Sequence, residues 1–221
     1  MTTGVSMAAE AHALLPQTVH GELRSSIIRQ EHTPGSLVTE ALVSARYGVS
    51  RPTAKAAIEL LVSEGLLRRE AHRAARIPLL SSEDIADLYD NRAIIEGQAV
   101  RALAASGAVP TAAITAQRAL VASAGDFADH DIAFHRALVA GQPSSRLARM
   151  HDLLMGEIEL CIGQVQAGHL LGATAVARQH QDILDAITAG DVELADARTR
   201  DHIQTSRDSL LARRNSPVDP I

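Results

Sequence analysis

Cysteine is nearly absent from this chain. The single thiol, Cys161, has no internal partner, so nothing calls for an oxidising compartment. Aromatics amount to 2% of 221 residues and Trp is missing, whereas Ala and Leu abound. That balance favours helices and all but excludes a β-sandwich or large barrel. No apolar run approaches the ~18 residues of a membrane-spanning helix, and Met1 to Leu15 lacks the basic start of a secretory leader. The expectation is a soluble, cytoplasmic protein with no membrane partner. What is present suffices for a core, with 46% apolar and 21% charged residues. The length allows one or two domains.

Lysine is also scarce, Lys55 being the only one. The net charge of −5 is unevenly spread: residues 1–80 carry 9 basic against 7 acidic side chains, and 81–221 carry 12 against 19. A slightly basic head on an acidic body suggests two jobs in one chain.

Residues 1–17 show no clear periodicity and read as a flexible N-terminus. From there Val19, Leu23 and Ile27 space an amphipathic helix. His32-Thr33-Pro34-Gly35 ends it with a turn. A short helix follows over Thr39–Arg46, with Thr39 as cap and Leu42 and Val43 facing inward. After Gly48-Val49, Ser50 is placed to cap a third helix whose first turn holds Pro52. Its buried stripe is Ala54, Ala57, Ile58, Leu61 and Val62, and Gly65 stops it. Leu66–Arg69 and Arg76–Pro78 read as two short strands around a basic turn at His72-Arg73. Helix, helix, turn, helix, hairpin is the order of a winged helix-turn-helix. In that motif the second helix of the turn enters the major groove by its N-terminal side chains. Here these are Ser50, Arg51, Thr53 and Lys55, all expected opposite the buried stripe. Arg73 and its basic neighbours in the hairpin would lie along phosphates or reach the minor groove.

The segment GSLVTEALVSARYGVSRPTAKAAIELLVSEGLLRR resembles the GntR family of bacterial transcription regulators, and the likeness spans residues 18–78. It implies that Arg51 and Thr53 contact DNA and that Lys55 stands where Arg is usual. It also marks two departures: Ala41 replaces a common DNA-contacting Arg, and Ala74 replaces the wing glycine.

Beyond Pro78 the chain reads as helices only: about 82–106, 111–122, 126–140, 145–167, 171–189 and 191–213. Glycines and prolines sit at the breaks, and 215–221 reads as a flexible tail. The fold class is therefore mainly α, a winged helix-turn-helix followed by an all-α six-helix bundle over 82–214.

The bundle holds a possible metal site. Asp131 and His135 are one turn apart on a face shared with Phe127, Phe134 and Leu138, so both point inward, and a carboxylate buried there needs compensation. His180 and His202 lie about 15 and 18 Å from the turn at Gly190-Asp191, at 1.5 Å per residue. An antiparallel hairpin would bring them to one height, and His180 shares the inward stripe Val176, Ile183, Ile187. Three nitrogens and one oxygen suit one divalent transition metal per chain, Zn²⁺, Ni²⁺ or Mn²⁺. His130, His151 and His169 are read as surface residues. Arg92 lies in the inward stripe Leu88, Ile95, Ala99. It either clamps an effector carboxylate or pairs with Glu96 one turn away or another acid.

The segments LYDNRAIIEGQAVRALA, DIAFHRAL, QHQDILDAITAGD and RDHI resemble the FCD effector domain of the FadR branch of that family, from about Ser82 to Arg214. With six helices the domain is similar to the shorter, VanR-like group. The resemblance implies that Asp131, His135, His180 and His202 bind a metal, that the protein is a homodimer, and that its pocket takes a small organic acid. The resulting expectation is no enzyme but a repressor of double-stranded operator DNA, controlled by an acid bound at the metal. Two alternatives stand: a regulator that senses the metal itself, and a metal-dependent enzyme. The enzyme lacks both the paired Glu-x-x-His segments of di-iron bundles and an obvious spare carboxylate to act as base.

Overall fold

A computed structural model describes residues 4–123 and 125–215. The chain forms two compact units, 1–79 and 80–221.

The first unit opens with α1 (Gly4–Ile28), so much of the stretch read as a flexible N-terminus is helical. Val19, Leu23 and Ile27 are buried as their spacing requires. A two-residue strand β1 (Leu37–Val38) follows, then α2 (Glu40–Tyr47) and α3 (Arg51–Ser63). Both helices start on a side-chain cap: Thr39 Oγ1 accepts the Leu42 N–H at 3.2 Å, and Ser50 Oγ accepts the Thr53 N–H at 3.3 Å. Gly48 ends α2 at φ 65°, a conformation in which a side chain would be strained. Only one of the two inward residues expected on α2 is buried: Val43 is covered, while Leu42 is 60% exposed. On α3 the stripe Ala54, Ala57, Ile58, Leu61 closes over α1, and Val62 is half-buried at its margin.

The sheet departs from the expected hairpin. The strand β2 (Ala75–Arg76) pairs antiparallel with β1, Leu37 opposite Arg76 and Val38 opposite Ala75. The expected 66–69 segment contributes only a bridge, Arg68 to Arg76, closed by two bonds of 2.9 Å. Two residues of β1 carry no alternation to read, so a strand of that length is visible only through its partner.

Among the described residues the second unit holds helices only: α4 (Ser82–Ser106), α5 (Thr111–Ala122), α6 (Ala128–Gly141), α7 (Ser145–Ala167), α8 (Ala173–Thr188) and α9 (Val192–Asn215). A reciprocal capping box between Ser81 and Asp84 opens α4, and Gly107 closes it at φ 62°. The helix α6 starts two residues later than the sequence suggests. Its first N–H groups, on Phe127 and Ala128, are capped from α7 by Gln166 Oε1 at 2.6 Å. Of the expected tail, Asn215 is the last helical residue and 216–221 lie outside the described residues.

The central helix α4 packs against α6, α7, α8 and α9. A Cβ at Gly97 would meet the Asp196 carboxylate and the Arg200 guanidinium of α9, so this glycine leaves room for that ion pair against α4. The core gathers Val100, Leu103, Phe134, Leu138, Ile183 and Ile187. One end of this core is polar, and that end is the site.

Candidate functional site

In the first unit, Arg51 and Lys55 stand exposed on the opening turns of α3. They line a concavity of about 490 Å³ with Arg69, His72 and Arg73, and with Glu40 and Glu59 at its acidic margin. Arg69 pairs with Glu59, and Arg73 with Glu70 at 3.0 Å, both side chains two-thirds exposed. Exposed pairs of this kind exchange readily for a phosphate. Thr53 does not stand opposite the buried stripe. It is 8% exposed, and its hydroxyl lies 2.9 Å from Ser50 Oγ. Its place three residues after the cap turns it beneath the helix start, where it braces Ser50.

In the second unit, Asp131, His135, His180 and His202 are all buried, and one ligand atom from each lies within 4.8 Å of all the others. The equal height of His180 and His202 is realised, with ring centroids 4.8 Å apart. Phe134 stacks on His180 at 3.8 Å and fixes its plane.

Hydrogen bonds outside the cluster set which nitrogen faces inward. Glu96 Oε2 lies 2.6 Å from His135 Nδ1. A carboxylate only accepts, so Nδ1 donates, which in the neutral ring leaves the Nε2 lone pair facing inward. Gln179 Oε1 lies 2.9 Å from His202 Nδ1 and does the same for that ring. The two Nε2 atoms then face each other at 3.0 Å. With both rings neutral two lone pairs meet at that distance and repel, and a proton or a metal ion between them resolves the conflict. His180 Nε2 and Asp131 Oδ1 are 3.1 Å apart, yet neither makes an aligned hydrogen bond although both are buried. Orphaned buried donors and acceptors carry a cost of about 1–3 kcal/mol each, which coordination removes. The donor set therefore fits a divalent transition metal.

The charges agree. Burial pushes the Asp131 carboxyl upward, but contact with His180 and the nearby His135 and His202 outweigh it and hold the group well below the carboxylate range. Burial, then its neighbouring histidines, lowers His202 well below the ordinary histidine value. Burial lowers His180 too, against the pull of Asp131. Neutral imidazoles and an ionised carboxylate are the forms that ligate metal.

Arg92 is 1% exposed, and its Nε donates to Glu96 Oε1 at 2.7 Å. The sequence left two partners open for it, and Glu96 is the one found, although Nη2 remains buried without a hydrogen bond. Glu96 was foreseen only as a possible partner of Arg92, and its hold on two histidines, His135 among them, was missed in the sequence. It also accepts from His151 Nε2 at 3.2 Å. His151 is thus no surface residue but 1% exposed. The signal was there: His151 opens the stripe Met155, Ile158, Ile162, Val165 along α7, every member of it buried. His130 and His169, by contrast, are half-buried and exposed, respectively.

Residues 87–205, more than half the chain, match the FCD domain family, and residues 15–77 match the gntR family of bacterial regulatory proteins. The chain is a GntR-family regulator with an FCD domain. Its family consists of DNA-binding transcription regulators rather than enzymes, whose members bind operators and typically act as dimers, and FCD domains can bind metals. The regulator is 29% identical over 208 residues to a probable D-xylose utilization operon transcriptional repressor of Paenarthrobacter nicotinovorans, covering 89% of this chain and 91% of that one. It is 26% identical to the transcriptional repressor GlaR of Escherichia coli K12, covering 83% and 90%. Its fold is shared with a GntR-type regulator of Rhodococcus sp. RHA1, at a TM-score of 0.74 with 23% identity, covering 89% and 97%. Escherichia coli McbR/YncC gives 0.70 with 18% identity, covering 91% and 99%. Among the described residues no single helix of the regulator is long and apolar enough to cross a membrane.

Proposed function

We propose that this regulator is a cytoplasmic, homodimeric repressor whose grip on its operator is set by a small organic acid bound at a divalent transition metal. Asp131, His135, His180 and His202 would hold the metal, which when bound supplies positive charge and coordination positions for a carboxylate. The observation that carries the reading is the convergence of four buried ligand atoms, two of them without any aligned hydrogen bond. Arg92, beside this cluster and with Nη2 unpartnered, would hold the acid. On the head, Arg51 and Lys55 would reach base edges, Ser50 and Arg73 the backbone, and Thr53 would support Ser50. The repressor names of two relatives support the sign of the effect.

The test is a melting panel of organic acids on metal-loaded and chelator-stripped protein. An acid at 100 times its dissociation constant adds about 2.7 kcal/mol, a rise of very roughly 5–10 °C at this size. A rise confined to the metal-loaded protein is the expected result. One observation favours a second reading: four protein ligands already complete a tetrahedral site, so the metal itself could be the signal. Operator affinity that follows metal and ignores every acid would replace the first reading with that one.

A further inference from the structure

The acid's charge is written into the buried residues. The described second unit buries four formally charged side chains besides its histidines: Arg92, Glu96, Asp131 and Glu159. Glu159 is matched by Arg136, with contacts of 3.1 and 2.9 Å. Arg92 is matched by Glu96 at 2.7 Å. Only Asp131 is left without a cationic side chain. A divalent ion among three neutral imidazoles and this one carboxylate leaves a single positive charge on the ion and its four ligands.

We propose that Glu96 is the specificity-determining residue of this site, cancelling the charge of Arg92 so that the metal-loaded centre accepts a monocarboxylate and discriminates against a dicarboxylate. This rests on the reading that an organic acid binds at the metal. The first carboxylate of a ligand meets the remaining positive charge and the unpartnered Nη2 of Arg92. A second carboxylate in the same low-dielectric interior finds no uncancelled cation, and a buried unpaired charge is strongly disfavoured. Glu96 does this from a fixed position. It sits on α4 one turn after Arg92 and is fully buried. His135 of α6 and His151 of α7 hold its carboxylate from two other helices, at 2.6 and 3.2 Å. It therefore cannot swing away to free the guanidinium when a dianion arrives.

The test compares lactate with malate, two hydroxy acids that differ by one carboxylate, by calorimetric titration of the full-length, Zn²⁺-loaded protein. Wild-type protein is expected to bind lactate at least about tenfold more tightly than malate. In Glu96→Gln the one amide oxygen can keep the bond from His135 only by turning its NH2 toward Arg92 Nε, so Arg92 loses its acceptor together with its counter-charge; the centre gains one positive charge, and the ratio should narrow by about tenfold or reverse. Arg92→Gln removes one positive charge, and the same ratio should widen. Opposite movements are a signature that mere damage to the site does not produce. The metal content of each variant is measured alongside, and the wild-type comparison stands without either variant. Malate binding as tightly as lactate to the wild type overturns the inference, as does a ratio that moves the same way in both variants. If neither acid binds the metal-loaded protein, the inference falls, and the wider panel of acids decides the organic-acid reading.

Discussion

The two units put their chemistry in opposite places. In the head, the helices stand on caps and an apolar core, and the groups proposed to meet DNA, Arg51 and Lys55, lie exposed outside that core. In the body, the groups proposed to hold a ligand are part of the core: Asp131, His135, His180 and His202 are buried where α6, α8 and α9 meet, and Phe134 stacks on His180. An exposed cation is solvated with or without DNA, so the head folds without its partner. Buried imidazoles are not solvated, so on the proposed reading the body's stability is coupled to what fills the site.

That contrast can be broken by experiment, and metal removal is expected to give the largest effect. Chelation should lower the melting temperature of the full chain by very roughly 5–10 °C, if metal is held at about 100 times its dissociation constant. His180→Ala and Asp131→Ala should abolish metal retention, read by elemental analysis after dialysis. Melting that ignores chelator would remove the coupling claimed for the body. Next in size, Arg51→Ala should weaken operator binding by about 1–3 kcal/mol with metal content unchanged. Lys55→Ala should weaken it for every sequence and reduce the salt dependence by about one counterion if it contacts phosphate. Metal loss in either variant would contradict the independence of the head. A smaller effect is expected at the cap: Ser50→Ala should cost about 1 kcal/mol of stability, measured by denaturant unfolding.

The smallest effect is one of pH on the metal-free protein. Burial lowers the pKa of His180 and His202 in the folded state, whereas in the unfolded chain both titrate near 6.5. The unfolded state therefore takes up more protons as pH falls through that value, and stability should decline between about pH 7 and 5. His180→Ala should flatten the decline. A melting temperature independent of pH across that window would show that these rings are not held neutral.

Much of this was legible in the sequence because the relevant signals are local or periodic. Thr39, Ser50, Gly48 and Gly107 marked helix ends, and the stripes on α3, α6 and α8 marked buried faces. Even the pairing of His180 with His202 followed from helical rise and the position of one turn. Legibility ended where a residue's role depends on a distant partner. Strand β1 is two residues long and exists through Ala75–Arg76. Thr53 looked outward until the fold turned its hydroxyl onto Ser50. His151 lay in a readable stripe, but its partner Glu96 lies 55 positions away on another helix.

The sequence by itself determined the two-part plan, the capped helices of the head, the six helices of the body and the four donors of the candidate metal centre. Each is encoded in residue type and spacing along one element or two adjacent ones. Only the tertiary structure decided that Glu96 ties Arg92, His135 and His151 together, that Gln179 sets the face His202 presents, and that two imidazole nitrogens meet at 3.0 Å. Hydrogen bonds between side chains of different helices depend on packing depth and rotation to within an ångström, and no periodicity along one chain records that.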